Sequence, residues 1–412
     1  MTGLTRRSAL GALTVAGVAA ATQVRAQAKT TLKIAYPAWD TKEQEKAVTG
    51  IFADYEKANP DVKIELISLP FPVLRQRLVV SARAGDPPDI AYVDGRWVPE
   101  MAVPGLLQDI SAGVAKLDRA DWYAEPWKGA TIGGKIFAVP DRIDPWMIYY
   151  NTDHFEKAGL KNFPKTMEEL AQAAVKLTGD GVYGWGLIGA KDASLISRYI
   201  NFLYAFHGDL LTPDGRKSAF AAPDSVAALR FYTDLLIKYK AAQPSAMANG
   251  LNDVNQLFMT GRASMIVDGP WRQGSLREQA PTLKWAVAQV PPAAGKSPRY
   301  LTSSWYYTLF KGGKNQEAAF KFVDFLVKPE NMARSVVTLP ARKSAARDPR
   351  FATPEYKPWV EAIPAAVPFT VTDKFTEIAD VVGDAVQQVL GGRADADKAA
   401  ADASKKIDGI VG

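Results

Sequence analysis

The feature that most restricts the fold is a change of hydrophobic period, repeated along the first quarter of the chain. Leu32, Ile34 and Tyr36 alternate with Lys33 and Ala35, which predicts a strand. Ala47, Val48, Ile51, Phe52 and Tyr55 then recur at helical spacing, and Asn59-Pro60 stops that helix. Val62, Ile64 and Leu66 form a second alternation. Leu74 to Ala84 reads as helix, broken by Gly85-Asp86-Pro87-Pro88, and Asp89 to Val93 is a third strand. A βαβαβ order predicts a parallel sheet with helices on its faces. Ligands of such sheets sit beyond the carboxyl ends of the strands, so the loops 37–40 and 94–97 become the first places to look.

The same alternation continues. Ile132 to Pro140 reads as a hairpin edge or short strand, and Met147 to Tyr150 as a strand ending at Asn151. Thr166-Met167-Glu168-Glu169 is a capping box that opens a helix. Val182 to Ile188, Ala263 to Val267, the segment from Trp285 and Ser304 to Phe310 read as strands. Helices are expected around Val226 to Leu236, over 255–260, around Ala318 to Leu326, and finally over 376–390 and 395–410. No repeat and no Gly/Ser linker divides the chain. Two α/β halves must then be joined by strands that cross between them, at 140–146, 301–305 and 348–356. The expected fold class is therefore α/β with two lobes, each a mainly parallel sheet flanked by helices, and a hinge of crossing strands. The first lobe takes residues 27–142 and 302–347, and the second takes 143–301 and 348–412.

Composition excludes much chemistry. The 412 residues contain no cysteine, so there is no disulfide, thiolate zinc site, iron–sulfur cluster or cysteine nucleophile. His154 and His207 are the only imidazoles, which leaves no histidine-rich metal site. Neither a metal nor a cofactor is expected. Lys and Arg are interspersed with Asp and Glu within a net charge of +6, without the basic stripe of a nucleic-acid binder.

Residues 1–26 read as an export signal: a basic start with Arg6-Arg7, a weakly apolar run from Gly11 to Ala21, and Val24-Arg25-Ala26 before Gln27. That run falls well short of the ~20 residues a membrane helix needs. The paired arginines point to the twin-arginine route, with general secretion as the other reading. Cleavage near Ala26 and a soluble periplasmic protein are expected.

Several segments carry a family resemblance in their order. They are Phe52-Ala53-Asp54-Tyr55-Glu56-Lys57-Ala58-Asn59-Pro60, Ala84-Gly85-Asp86-Pro87-Pro88-Asp89-Ile90 and Gly134-Lys135-Ile136-Phe137-Ala138-Val139-Pro140. Tyr149-Tyr150-Asn151-Thr152-Asp153 follows, then Phe258-Met259-Thr260-Gly261-Arg262-Ala263 running on to Gly269-Pro270-Trp271, and last Leu339-Pro340-Ala341-Arg342. The chain resembles the extracellular solute-binding proteins that feed carbohydrates to ATP-binding-cassette importers, the group that includes maltose-binding protein. The resemblance covers essentially all of the chain after residue 26. It implies two α/β lobes, a cleft, a hinge, no catalysis, a sugar, oligosaccharide or polyol ligand, and an inner-membrane permease as partner. A monomer is expected.

The cleft candidates follow from chemistry and position. Trp39, Trp97, Trp146, Trp271 and Trp305 fall at strand ends or crossings, where indole faces can pack against sugar C–H groups. Each could equally be core. Trp122, Trp127 and Trp359 lie elsewhere and read as structural. Asp40, Asp94, Asp144 and Asp268 can accept from hydroxyls, although Asp at such places also serves turns. Arg96, Arg142, Arg272 and Arg342 are candidate donors. They can bind hydroxyls, pair with these aspartates, or hold an anionic group, so an anionic or phosphorylated sugar stays open. Ser303 and Ser304 could donate from the returning strand or simply begin it. His207 reads as structural. A secreted glycoside hydrolase also combines aromatic platforms with two carboxylates, which makes it the alternative of another class.

Overall fold

The computed structural model describes residues 29–39, 42–336 and 338–412. The export segment and Asp40 lie outside the described residues. Eleven strands are formed among them: β1 (Thr30–Pro37), β2 (Val62–Leu69), β3 (Ile90–Asp94), β4 (Thr131–Ile132), β5 (Lys135–Ile136), β6 (Ala138–Pro145), β7 (Met147–Asn151), β8 (Met265–Asp268), β9 (Trp285–Gln289), β10 (Tyr300–Leu309) and β11 (Ala366–Pro368).

The opening βαβαβ unit is as the periodicity requires. β1 pairs in parallel with both β2 and β3, burying Leu32, Ile34 and Tyr36. The helix Lys42–Ala58 buries Val48, Ile51, Phe52 and Tyr55, the stripe that its spacing sets aside for the sheet. The strand order is then β2-β1-β3-β10, with β6 on the far edge of β10. β6 carries the chain out of this sheet and β10 brings it back, so the two run antiparallel, from Thr302 opposite Pro145 to Thr308 opposite Ala138. β11 adds to the amino-terminal end of β10, at residues 300–302.

Trp146 separates β6 from β7, and β7 opens the second sheet, flanked by β8 and β9. The expectation of a mainly parallel sheet fails here, because both pairings of β7 are antiparallel. The expected strand 182–188 is also absent. Its hydrogen bonds are divided among residues 178–179, 241, 243 and 262–265, leaving single bridges at Val182 (antiparallel), Tyr183 and Trp185 (parallel). It packs so closely against the helix Met167–Lys176 that a Cβ on Gly184 would lie 1.9 Å from the Ala174 carbonyl oxygen. The helix Ala193–Ala205, not anticipated from the periodicity, packs over this half; the Asp192 side chain caps it by accepting from Ser194 and Leu195 N–H. The last two helices, Phe375–Leu390 and Ala396–Val411, pack together and against Pro223–Ile237. Among the described residues no helix is long and apolar enough to cross a membrane.

Candidate functional site

The register of β10 assembles one side of the candidate site. Trp305 lies opposite Asp94 of β3 on one edge and opposite Arg142 of β6 on the other, and Ser303 lies opposite Asp144. Directly paired residues share a face of a sheet, so the Arg142 guanidinium lies 4.9 Å from the Trp305 ring centroid. From Trp305 an aromatic chain runs through Tyr92 (5.1 Å) to Tyr36 (4.4 Å) and Trp39 (4.4 Å), and outward to Trp97 (6.3 Å) and Phe71. The turn after β3 bends Arg96 back onto Asp94, with Nε and Nη2 donating at 2.9 and 2.8 Å.

The other side is built on the second sheet. β8 ends at Asp268, and Gly269-Pro270 turns the chain so that Trp271 lies edge-to-face with Trp146 at 5.1 Å. Asp268 accepts from Arg272 Nε, Arg198 Nη2 and its neighbour Gly269 N–H, each at 2.9 Å. Arg198 also stands 4.7 Å from the Trp146 ring centroid, and Trp146 Nε1 reaches Ser303 Oγ at 3.3 Å.

Burial shapes the electrostatics. Asp141 has 1 % exposure and one hydrogen bond, from the Tyr92 hydroxyl at 2.7 Å; burial pushes its carboxyl up to about 7. Asp144 is fully buried, 3.0 Å from Arg142 Nε without hydrogen-bond alignment, so both its oxygens lack an aligned donor. Burial raises the Asp144 carboxyl, against the opposing pull of Arg142 and of the neighbouring Thr338 hydroxyl. Burial acts on Asp268 in the same sense, but the two guanidinia and the Gly269 N–H outweigh it and hold that carboxyl below the usual range.

Between the two sides lies a cavity of 830 Å³. Its walls are the helix Phe71–Arg83 with Arg96 and Trp97 on one side, and residues of the helices Ala193–Ala205 and Phe375–Leu390 on the other. Of the expected site residues that are described, only Arg96 and Trp97 are on its walls; Trp39, Asp94, Arg142, Trp271, Arg272, Ser303, Ser304 and Trp305 are not, and Asp144, Trp146 and Asp268 are buried in the rows behind it. The lobes touch across it where Thr376 Oγ1 donates to Glu100 Oε1 at 2.6 Å, and where Arg96 lies 5.1 Å from the Phe369 ring.

The structure thus gathers Asp94, Arg96, Trp97, Arg142, Asp144, Ser303 and Trp305 on one side and Trp146, Asp268, Trp271 and Arg272 on the other. Trp39 joins through Tyr36. Ser304 is buried with no hydrogen-bond partner for its hydroxyl. Arg342 is a correction: its guanidinium pairs with Asp121 at 2.8 Å, donates to the Val327 carbonyl and covers Trp122, away from the cavity. Trp122, Trp127 and Trp359 are buried, and His207 Nε2 pairs with the Ser297 carbonyl at 3.0 Å. Sequence reasoning missed Arg198, Phe71 and Tyr92. The signal for Arg198 was an arginine inside the apolar run 195–206.

Two α/β lobes linked by crossing strands, with an aromatic and ion-paired cleft between them, define a receptor of the solute-binding class. The sequence assigns the family: residues 38–333 match bacterial extracellular solute-binding proteins, and the chain belongs to that family. A binding protein of Brucella abortus is 28% identical over 365 residues, covering 87% of this chain and 88% of its own. The galactooligosaccharide-binding protein of Bacillus subtilis is 24% identical over 389 residues, covering 90% and 88%. An ABC transporter solute-binding protein of Thermotoga lettingae, solved with alpha-D-tagatose, superposes with a TM-score of 0.81 at 28% identity, over 93% of this chain and all of that one. The family is made up of binding proteins, and nothing in these likenesses supports the glycoside hydrolase alternative.

Proposed function

We propose that this chain is the periplasmic receptor of an ABC importer, closing its two lobes on a neutral sugar, oligosaccharide or polyol and presenting it to the inner-membrane permease. The observation that carries the neutral ligand is the pairing of charge. Arg96 pairs with Asp94 and Arg142 with Asp144, while Arg198 and Arg272 share Asp268, each within 3.0 Å. A solute anion would have to compete with carboxylates already in place. Hydroxyls can take the remaining N–H donors and carboxylate lone pairs without changing that balance. Trp97 on the cavity wall supplies the apolar half of a sugar site, backed by the half-buried Trp271 and Trp305. The relatives named above bind galactooligosaccharide and tagatose, which agrees with this class of ligand.

The receptor acts as a monomer without catalysis, after removal of residues 1–26, with lobes bounded near residues 142, 301 and 347. The proposed ligand residues are Trp39, Asp40, Asp94, Arg96, Trp97, Arg142, Trp271, Arg272, Ser303, Ser304 and Trp305, with Asp144, Trp146 and Asp268 buried behind them. Melting temperatures measured with tagatose, galactooligosaccharides and ribitol, and with their phosphate esters, test the reading. A neutral ligand at about 100 times its Kd adds ~2.7 kcal/mol of stability. Stabilisation by the phosphate esters alone would transfer the assignment to an anionic sugar, and turnover of the oligosaccharide would overturn a pure receptor.

A further inference from the structure

Arg198 is buried at 7 % exposure in the helix Ala193–Ala205, and charge balance does not require it. Asp268 is already paired with Arg272 at 2.9 Å, and a second guanidinium beside the first adds repulsion as well as desolvation. An arginine kept at such a cost needs another reason. Its planar head does two things at once. Nη2 donates to Asp268 Oδ1 at 2.9 Å, while the plane lies 4.7 Å from the centroid of Trp146. Asp268 Oδ1 also accepts the Gly269 N–H, which fixes the start of the turn that delivers Trp271. The carboxylate therefore ties the group covering Trp146 to the loop carrying Trp271, and the two indoles meet edge-to-face at 81°. The helix is itself pinned to the crossing strand, because Asn201 Oδ1 accepts from Leu301 N–H at 3.2 Å, and Trp146 N–H donates to the Leu301 carbonyl.

We propose that Arg198 is a positioning residue, holding the Trp146–Trp271 pair in the orientation that receives the solute; this rests on the solute-cleft reading above. A guanidinium can pair and stack at the same time, and a lysine ammonium cannot. The charge alone is not the point, and Arg198→Lys separates the two.

The near-ultraviolet circular dichroism of the ligand-free protein reads the geometry of coupled indoles. The band that Trp271→Ala removes marks the pair. Arg198→Lys and Arg198→Met should lose most of that same band while the far-ultraviolet spectrum stays native. In Trp271→Ala, adding Arg198→Lys should change the near-ultraviolet spectrum no further. For whichever of tagatose or galactooligosaccharide stabilises the wild type, Arg198→Lys should weaken binding about tenfold, and by much less in the Trp271→Ala background. An unchanged band in both Arg198 variants overturns the proposal. So does a loss of affinity that simply adds to that of Trp271→Ala, because Arg198 would then touch the solute directly. If neither sugar binds the wild type, the solute-cleft reading fails for these ligands, and the band in the ligand-free variants still decides the positioning role.

Discussion

Asp141→Asn is the perturbation whose sign and size the structure fixes best. The Asp141 carboxyl sits at about 7 in the folded protein, raised first by burial and further by Asp144, against the Tyr92 hydrogen bond and Arg142. In the unfolded chain an aspartate titrates near ~3.9. The folded state thus holds the proton more tightly. The stability from this group is complete below about pH 4 and is lost as pH rises to about 7. Three units correspond to ~4 kcal/mol, the burden of an ionised Asp141 at pH 8. Asparagine keeps the shape and still accepts from Tyr92. Its amide N–H groups fall where Asp141 Oδ1 has no partner, which costs back ~1–3 kcal/mol. The variant should therefore be ~1–3 kcal/mol more stable than wild type at pH 8. At pH 4.5 it should be no more stable, and less so if the amide stays unpaired. Thermal unfolding at the two pH values measures the difference, and carboxylates common to both proteins cancel. Parallel pH profiles for wild type and variant would refute a proton held at Asp141.

Trp271→Ala should weaken solute binding by ~1–3 kcal/mol through lost apolar contact, and cost the ligand-free protein ~0.5–1.5 kcal/mol for the lost pair with Trp146. Calorimetry of binding and of unfolding separates the two, and a much larger loss of ligand-free stability would make Trp271 core. Thr376→Val removes the hydrogen bond to Glu100 between the lobes, so the ligand-free radius of gyration by solution scattering should rise; no change would mean that the contact does not hold the lobes together. Adding a solute that binds should lower the wild-type radius of gyration, and a confirmed ligand that leaves the scattering curve unchanged would point to a preformed pocket. Replacing Arg6 and Arg7 with Lys should stop export if the twin-arginine route is used, whereas normal periplasmic accumulation would move the assignment to general secretion.

The parts of the fold that could be read from sequence are those in which one face is buried and the other solvated. β1 and the helix Lys42–Ala58 have that asymmetry, and their apolar spacing gives them away. The helix Ala193–Ala205 is buried from Leu195 through to Ala205, and a buried run rich in Ile, Tyr, Phe and Leu is hard to tell from a strand by composition. The segment 182–188 looks like a strand by composition. Its hydrogen bonds are divided between residues 241–243 and 262–265, distant in the chain, which no local pattern encodes. The site shows the same division. Trp305 and Asp94 could be picked out because each ends or crosses a strand, but that they share one row with Arg142 is a matter of register. Arg342 failed because an arginine in a loop is equally suited to a cleft and to a buried contact. Asp121, 221 residues away in the chain, decided between them.

The charged rows behind the cavity have a thermodynamic consequence for closure. Apolar residues of similar volume would stabilise such a region as well or better, since desolvating ions is costly. Here the cost is concentrated where the lobes join. Asp144 lies on the crossing strand with no aligned hydrogen bond from Arg142 at 3.0 Å, and Ser304, on the opposite face of the partner strand, is likewise buried without an aligned partner. A buried polar group without a partner is worth ~1–3 kcal/mol to any donor that reaches it. Asp144 has no exposed surface and stands behind the cavity wall, so a solute in the cavity does not regain that cost. Aromatic faces on both sides then add contact only if the lobes come together. Few side chains bridge the lobes at the cavity itself, chiefly Glu100 with Thr376 and Arg96 with Phe369, so little has to be broken. A solute that touches both walls of the cavity binds the closed form better than the open one. That difference in affinity is the only quantity able to drive the lobes shut.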